Sequence, residues 1–172
     1  QTSQGEKCVE AVKDGTVNLY HNNSKKFETT ATGVAVTGGV AIGGTGAANT
    51  LSDYEEGTWT PACGVATVSS IGRAFYTKIG RLVHVFAYIQ LAADGSGSNI
   101  SFTGLPFTVD NEVYETGITQ FSKNSTSRGI LARAGGNSTT INCMYTDGDQ
   151  AEVPANTVDG GHVMISLTYN ID

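Results

Sequence analysis

Apolar and polar residues alternate in short runs along most of this chain. Val17 and Leu19 alternate with Asn18, and Val34 and Val36 alternate with Ala35 and Thr37. A period of two places alternate side chains on opposite faces of a strand. Between residues 16 and 44 the runs are only about 4 to 6 residues long and their apolar faces are thin. A lone two-strand ribbon is marginal in water, so this segment needs a cover, and the simplest cover is copies of itself.

A change of zone is expected at Trp59 and Pro61. Beyond it the pattern predicts strands at roughly 58–68, 73–79, 81–92, 98–103, 112–122, 128–134, 138–146 and 161–169. Turn residues separate them at Gly72, Gly80, Asp94-Gly95-Ser96-Gly97, Pro106, Asn124-Ser125, Gly135-Gly136-Asn137 and Gly160-Gly161. Strand 81–92 is apolar on both faces: Val83, Val85, Ala87, Ile89 and Leu91 on one, Leu82, Phe86 and Tyr88 with His84 on the other. Such a strand lies centrally in a sandwich or packs on a neighbouring chain. Val163, Ile165, Leu167 and Tyr169 give the last strand one clean core face. The expected fold is all-β. A short intertwined β shaft segment (1–50) precedes a β-sandwich, jelly-roll-like head (51–172). The head is long enough for a core of its own, and the first 50 residues are not. Trp59 is expected to anchor the first head strand by packing.

Composition agrees with strands and turns. Of 172 residues 22 are Gly, Thr is equally common, and only 15% are charged. No window has a convincing helical period; Ala47 to Glu56 is the longest candidate and is mostly polar. No apolar run of about 18 residues predicts a membrane span. The chain starts at Gln1 rather than Met and is expected to be a fragment of a longer protein.

The formal charge is −6, and no basic cluster exceeds Lys25-Lys26. A nucleic-acid partner would need a basic face to neutralise phosphates, so none is expected. Cys8, Cys63 and Cys143 are scattered, which argues against a disulfide framework or a structural zinc site. They are expected to be reduced.

Four stretches resemble bacteriophage tail-fibre proteins. They are Leu19-Tyr20-His21-Asn22-Asn23-Ser24-Lys25-Lys26-Phe27-Glu28-Thr29-Thr30 with Thr32-Gly33-Val34-Ala35-Val36-Thr37-Gly38, the junction Asp53-Tyr54-Glu55-Glu56-Gly57-Thr58-Trp59-Thr60-Pro61, Tyr76-Thr77-Lys78-Ile79-Gly80-Arg81-Leu82-Val83-His84-Val85, and Gly104-Leu105-Pro106-Phe107. Together they cover roughly residues 15 to 110. The resemblance implies a homotrimer, located in the virion tail fibre and assembled in the host cytoplasm, whose tips bind a host-surface receptor, glycan or protein.

No catalytic constellation stands out. Glu55 and Glu56 are neighbours in an extended chain and point to opposite faces. His21, His84 and His162 lie far apart, without a nucleophile elbow, phosphate loop or HExxH motif. Asp147-Gly148-Asp149 has the Asp-x-Asp look of a calcium loop, but the twelve-residue pattern around it is missing. No metal and no cofactor are therefore expected. Asn22-Asn23-Ser24, Asn124-Ser125-Thr126 and Asn137-Ser138-Thr139 match the glycosylation acceptor and read as turns.

If the head strands run antiparallel, successive loops alternate between its two ends. Counting from Thr58 puts loops 69–72, 93–97, 123–127 and 147–160 at the far end. Gly80, Gly104 to Asn111, 135–137 and the C-terminus fall at the near end. The expected receptor site is then Asp147, Asp149, Gln150, Glu152 and Asn156, helped by Asp94, Ser96, Asn124 and Ser125, with Tyr145 as a stacking platform. The expected function is attachment without catalysis. A tailspike-like polysaccharide depolymerase normally needs a long β-solenoid, which this chain is too short to form. A free-standing carbohydrate-binding module would not need the first 50 residues.

Overall fold

Two asparagines in a row shape an early hairpin. Asn22 (φ 49°) and Asn23 (φ 60°) both adopt the left-handed conformation, which Asn tolerates better than most residues. They form a two-residue turn between the paired residues His21 and Ser24. Asn137 (φ 55°) plays the same part later in the chain. The computed structural model describes residues 5–93, 95–111, 114–148, 151–158 and 160–172.

The chain divides into two compact units, the first reaching Asp53 and the second running Tyr54–Asp172. In the first unit, β1 (Val9–Ala11), β2 (Val17–His21), β3 (Ser24–Thr30) and β4 (Gly33–Val36) form an antiparallel meander. β5 (Val40–Ala41) pairs with β6 (Thr50–Leu51). This unit has almost no core. Val9, Leu19, Val34, Val36 and Ile42 are all exposed, Ile42 by 65%. Among the described residues of this unit only Asn18 is buried. Its order rests on backbone ladders and on polar contacts such as Glu10, which accepts bonds from Lys7 and Tyr20. Those bonds hold the Glu10 carboxyl down at about 2.

The second unit is one nine-stranded antiparallel sheet. Its strands are β7 (Tyr54–Thr58), β8 (Ala62–Cys63), β9 (Val68–Ile79), β10 (Leu82–Leu91), β11 (Ser101–Thr103), β12 (Glu115–Phe121), β13 (Ile130–Ala134), β14 (Thr140–Tyr145) and β15 (His162–Asn170). Their spatial order is β7-β9-β10-β15-β12-β13-β14-β11-β8. The sheet curls so that one face encloses a single core. Val83, Val85, Ala87, Ile89 and Leu91 of β10 and Val163, Ile165, Leu167 and Tyr169 of β15 meet Phe102, Ala132, Ala134, Ile141 and Cys143 from the other half. Each large aliphatic side chain so buried contributes roughly 1.5–3 kcal/mol. Burial pushes the Cys143 thiol up, keeping it protonated.

β12 joins the two halves. Residues Ile118–Phe121 pair with β15, while residues Glu115–Ile118 pair with β13. At the changeover stands Gly117. A Cβ there would lie 2.4 Å from the Ser166 carbonyl oxygen and 2.8 Å from the Leu167 Cα. Only glycine allows the backbones to approach so closely at the corner.

All-β character is thus the observed class, and among the described residues there is no α-helix, only 3-10 turns at Ala47–Asn49 and Ala155–Thr157. Two local expectations differ. The single strand expected over 58–68 is broken: β7 ends at Thr58, β8 has two residues, and β9 begins at Val68. Pro61 has no N–H to sustain a ladder, and the chain crosses here from one edge of the curled sheet to the other. The turn expected at Gly72 is a bulge inside β9. Arg73 pairs with Tyr88 and Ile71 with Ile89, leaving Gly72 as the extra residue. Loop 69–72 therefore does not exist.

Trp59 sits at that crossing. It is 6% exposed, and its indole Nε1–H donates to the Phe86 carbonyl at 3.1 Å. Trp59→Ala should destabilise the second unit by about 3–5 kcal/mol. Trp59→Phe, which removes little more than the hydrogen bond and part of the ring, should cost distinctly less. Urea melts followed by far-UV circular dichroism check both; equal losses would mean the apolar packing contributes nothing.

Candidate functional site

The two ends of the second unit differ in chemistry. At one end Arg81 pairs with Asp110 at 3.1 Å, Asp110 N–H donates to the Asn170 carbonyl, and Asn137 N–H to the Val109 carbonyl. The chain enters the unit at this end, since Tyr54 pairs with Ile79 beside the Gly80 turn. At the opposite end, three polar segments meet: 95–99, 122–128 and 151–158. Backbone bonds stitch them together. Asn156 N–H donates to the Ser96 carbonyl (2.9 Å), Ala155 N–H to Ser98 (2.9 Å) and Ser125 N–H to Thr157 (2.8 Å). Val153, Ala155 and Val158 are fully buried, so the long segment is part loop and part core lid.

Where 122–128 meets the Ala155–Thr157 turn there is a bowl of about 400 Å3, lined by Ser122, Lys123, Asn124, Ser125, Asn156 and Thr157. Several of these side chains support the loops themselves. Asn124 Oδ1 accepts from the Thr126 N–H and hydroxyl, and Asn124 Nδ2 donates to the Arg128 carbonyl. The Thr157 hydroxyl donates to the Pro154 carbonyl, and Ser122 Oγ accepts from His162 N–H. Among the described residues, Lys123, Ser125 and Asn156 keep their side-chain polar groups without a protein partner. An ammonium, a hydroxyl and an amide around a shallow bowl can donate to and accept from sugar hydroxyls or a carboxylate.

The expected site residues are distributed as follows. Asn124, Ser125 and Asn156 line the bowl, and Ser96 adjoins it through its backbone. Glu152 does not join them: its Oε2 accepts from Asn99 Nδ2 at 2.6 Å. Tyr145 and Asp147 belong to a separate cluster. Arg128 lies 3.5 Å from the centre of the Tyr145 ring and forks onto both oxygens of Asp147, with Nη2 to Oδ1 at 2.6 Å. Tyr145 is buried and Arg128 covers one ring face, so the stacking role expected of this ring is corrected to a support for Arg128. Asp94, Asp149 and Gln150 lie outside the described residues.

Lys123, Ser122 and Thr157 were not expected at the site. Lys123 directly precedes the Asn124-Ser125 turn, and a lysine amid turn residues was the available signal. A larger groove of about 970 Å3 follows residues 60–68 with Ser70, Ile71, Ser96 and Ser98. Its side-chain donors are the hydroxyls of Thr60, Thr67, Ser70, Ser96 and Ser98, and it carries no charged side chain, whereas the bowl has an ammonium and amides as well. Among the described residues no group of His, Cys, Asp and Glu could hold a metal ion, and no helix is long and apolar enough to cross a membrane. No protein-family model, curated protein or solved structure matches this chain.

The Arg128 hydrogen bond and charge hold the Asp147 carboxyl below the usual carboxylate range. A carboxyl depressed in the folded state contributes stability above its unfolded value of about 3.9, and that contribution is lost as the pH falls through the folded value. Arg128→Gln should therefore lower the melting temperature slightly at neutral pH, because the pair is exposed and screened. The difference should shrink below about pH 4. Melting curves across that range test this; a difference independent of pH would assign the effect to the Tyr145 stack alone.

Proposed function

We propose that this chain is part of a viral tail fibre and that its second unit attaches the virion to a host-surface glycan, without catalysis. The observation that carries the reading is the meeting of three polar loops at the end opposite the chain's entry, around side chains that the fold leaves unused. Attachment needs such outward donors and acceptors, and the apolar core is elsewhere. The motif resemblance around residues 15–110 supports the same reading.

A homotrimer is part of the proposal. The outer face of β7, β9, β10, β15 and β12 carries Tyr54, Phe75, Ile79, Leu82, Met164 and Ile118, all exposed, Ile118 by 76%. Phe75 stacks on Phe86 there, centroids 5.3 Å apart. The first unit, with its uncovered valines, has the same need for a neighbour. Copies of this chain satisfy both needs together, and cyclic symmetry suits a fibre. In this reading the first unit is shaft and the curled sheet is a jelly-roll-like sandwich. Three copies would also turn weak single sites into firm attachment by avidity.

Two measurements test it. Light scattering should give about 54 kDa for three chains of 17.9 kDa each; a stable monomer at micromolar concentration removes the trimer. Lys123→Ala, Ser125→Ala and Asn156→Ala together should weaken host-cell binding by about tenfold or more while the melting temperature stays unchanged. Full binding by this variant removes the bowl, and reducing-end release from host polysaccharide by the native chain would replace attachment with cleavage.

A further inference from the structure

On the outer face of β12, β13 and β14, one arginine has no counter-ion among the described residues. Arg133 stands in a cross-strand row between Thr116 and Asn142. Its Nε is buried and has no hydrogen-bond partner. No carboxylate among the described residues pairs with it. The Tyr114 ring centroid lies 5.0 Å from its guanidinium carbon. Among the described residues, Asp147 is engaged by Arg128, Glu152 by Asn99 and Glu115 by Asn170. A desolvated N–H without an acceptor is costly.

Arg133 also opens onto a cavity of about 250 Å3. Leu131 and Met144 form its apolar floor, and Thr116, Tyr145, Thr146 and Gly148 complete the wall. The cavity thus offers an apolar floor, the guanidinium end of Arg133, which no carboxylate among the described residues pairs with, and hydroxyls from Thr116 and Thr146. That combination matches a pyranose with one acidic substituent. The sugar's C–H face would lie on Leu131 and Met144, its hydroxyls would meet the threonines, and a carboxylate would take the planar guanidinium fork.

We infer that this cavity binds a carboxylate-bearing sugar residue, a uronic acid or similar, with Arg133 as the anion contact. The inference names a ligand class for a second subsite, and its failure would leave the attachment reading at the bowl standing.

The test is titration of the intact chain with a glucuronate-containing disaccharide, with its neutral glucose counterpart and with inorganic sulfate. Calorimetry and the Arg133 Nε–H resonance report binding. The acidic disaccharide should bind, shift that resonance, and lose affinity with added salt. The neutral disaccharide should bind at least about tenfold more weakly. Arg133→Gln should lose binding by a similar factor at an unchanged melting temperature. Arg133→Lys should restore little of it, because an ammonium lacks the fork. The proposal is overturned by equal binding of the two disaccharides, by sulfate alone shifting the resonance as strongly as the acidic sugar, or by no shift at millimolar acidic disaccharide. The resonance arm needs no variant, so a failure of Arg133→Gln to fold cannot shelter the inference.

Discussion

One sheet has to bury one of its faces against itself, and the corner at Gly117 is where this becomes possible. β12 gives its C-terminal half to β15 and its N-terminal half to β13, so the ladder stays unbroken while the sheet changes direction. A side chain at Gly117 would collide with the backbone of Ser166 and Leu167. Once the corner exists, alternate residues on β10 and β15 face alternate residues on β13, β14 and β11, and a dry core follows. The crossing from β7 to β8 and back to β9 then has to span the two sheet edges. Trp59 fixes that crossing by burying its ring and bonding to Phe86.

The same curl explains what is left over. A sheet that buries one face exposes the other, and here the exposed face of the first half is rich in aromatic and aliphatic groups. In the first unit even the ladder residues have nothing to pack against, and Val34 is 60% exposed. The two units share this feature although their topologies differ. Apolar area left in water on this scale drives association in most proteins that carry it, which is why copies of the chain are the proposed cover.

At the polar end the loops are held by backbone bonds between segments and by side chains such as Asn124 and Thr157, while Lys123, Ser125 and Asn156 keep their polar groups without a partner among the described residues. Residues 95–99 and 122–128 grip the 151–158 segment through Ser96, Ser98 and Ser125, and the apolar Val153, Ala155 and Val158 pin it from beneath. In the proposed reading, recognition would be mounted on a held base, which lowers the ordering cost of binding. The two arginines nearby contrast. Arg128 is neutralised by Asp147 and rests on Tyr145, so it serves the loop. Arg133 has an aromatic neighbour and no carboxylate partner among the described residues, which is why it is the proposed anion contact.

Much of this architecture was legible in the sequence, because a two-residue period writes each strand's buried face directly into the chain. Val83 to Leu91 and Val163 to Tyr169 could be assigned to a core face without coordinates. Asn22-Asn23 and Asn137 could be assigned to turns from their tolerance of positive φ. The antiparallel rule then assigned loops to ends, and segments 95–99, 122–128 and 151–158 do share one end. What the sequence could not supply was anything decided by pairing across distance. That Gly72 is a bulge depends on the register of Tyr88 and Ile89. That Tyr145 is covered depends on Arg128, that Glu152 is engaged depends on Asn99, and that Arg133 is unpaired depends on every carboxylate around it. Local pattern determines which residues form strands and which way they face; the partner each side chain finds is set only when the sheet closes and brings remote segments within hydrogen-bond range.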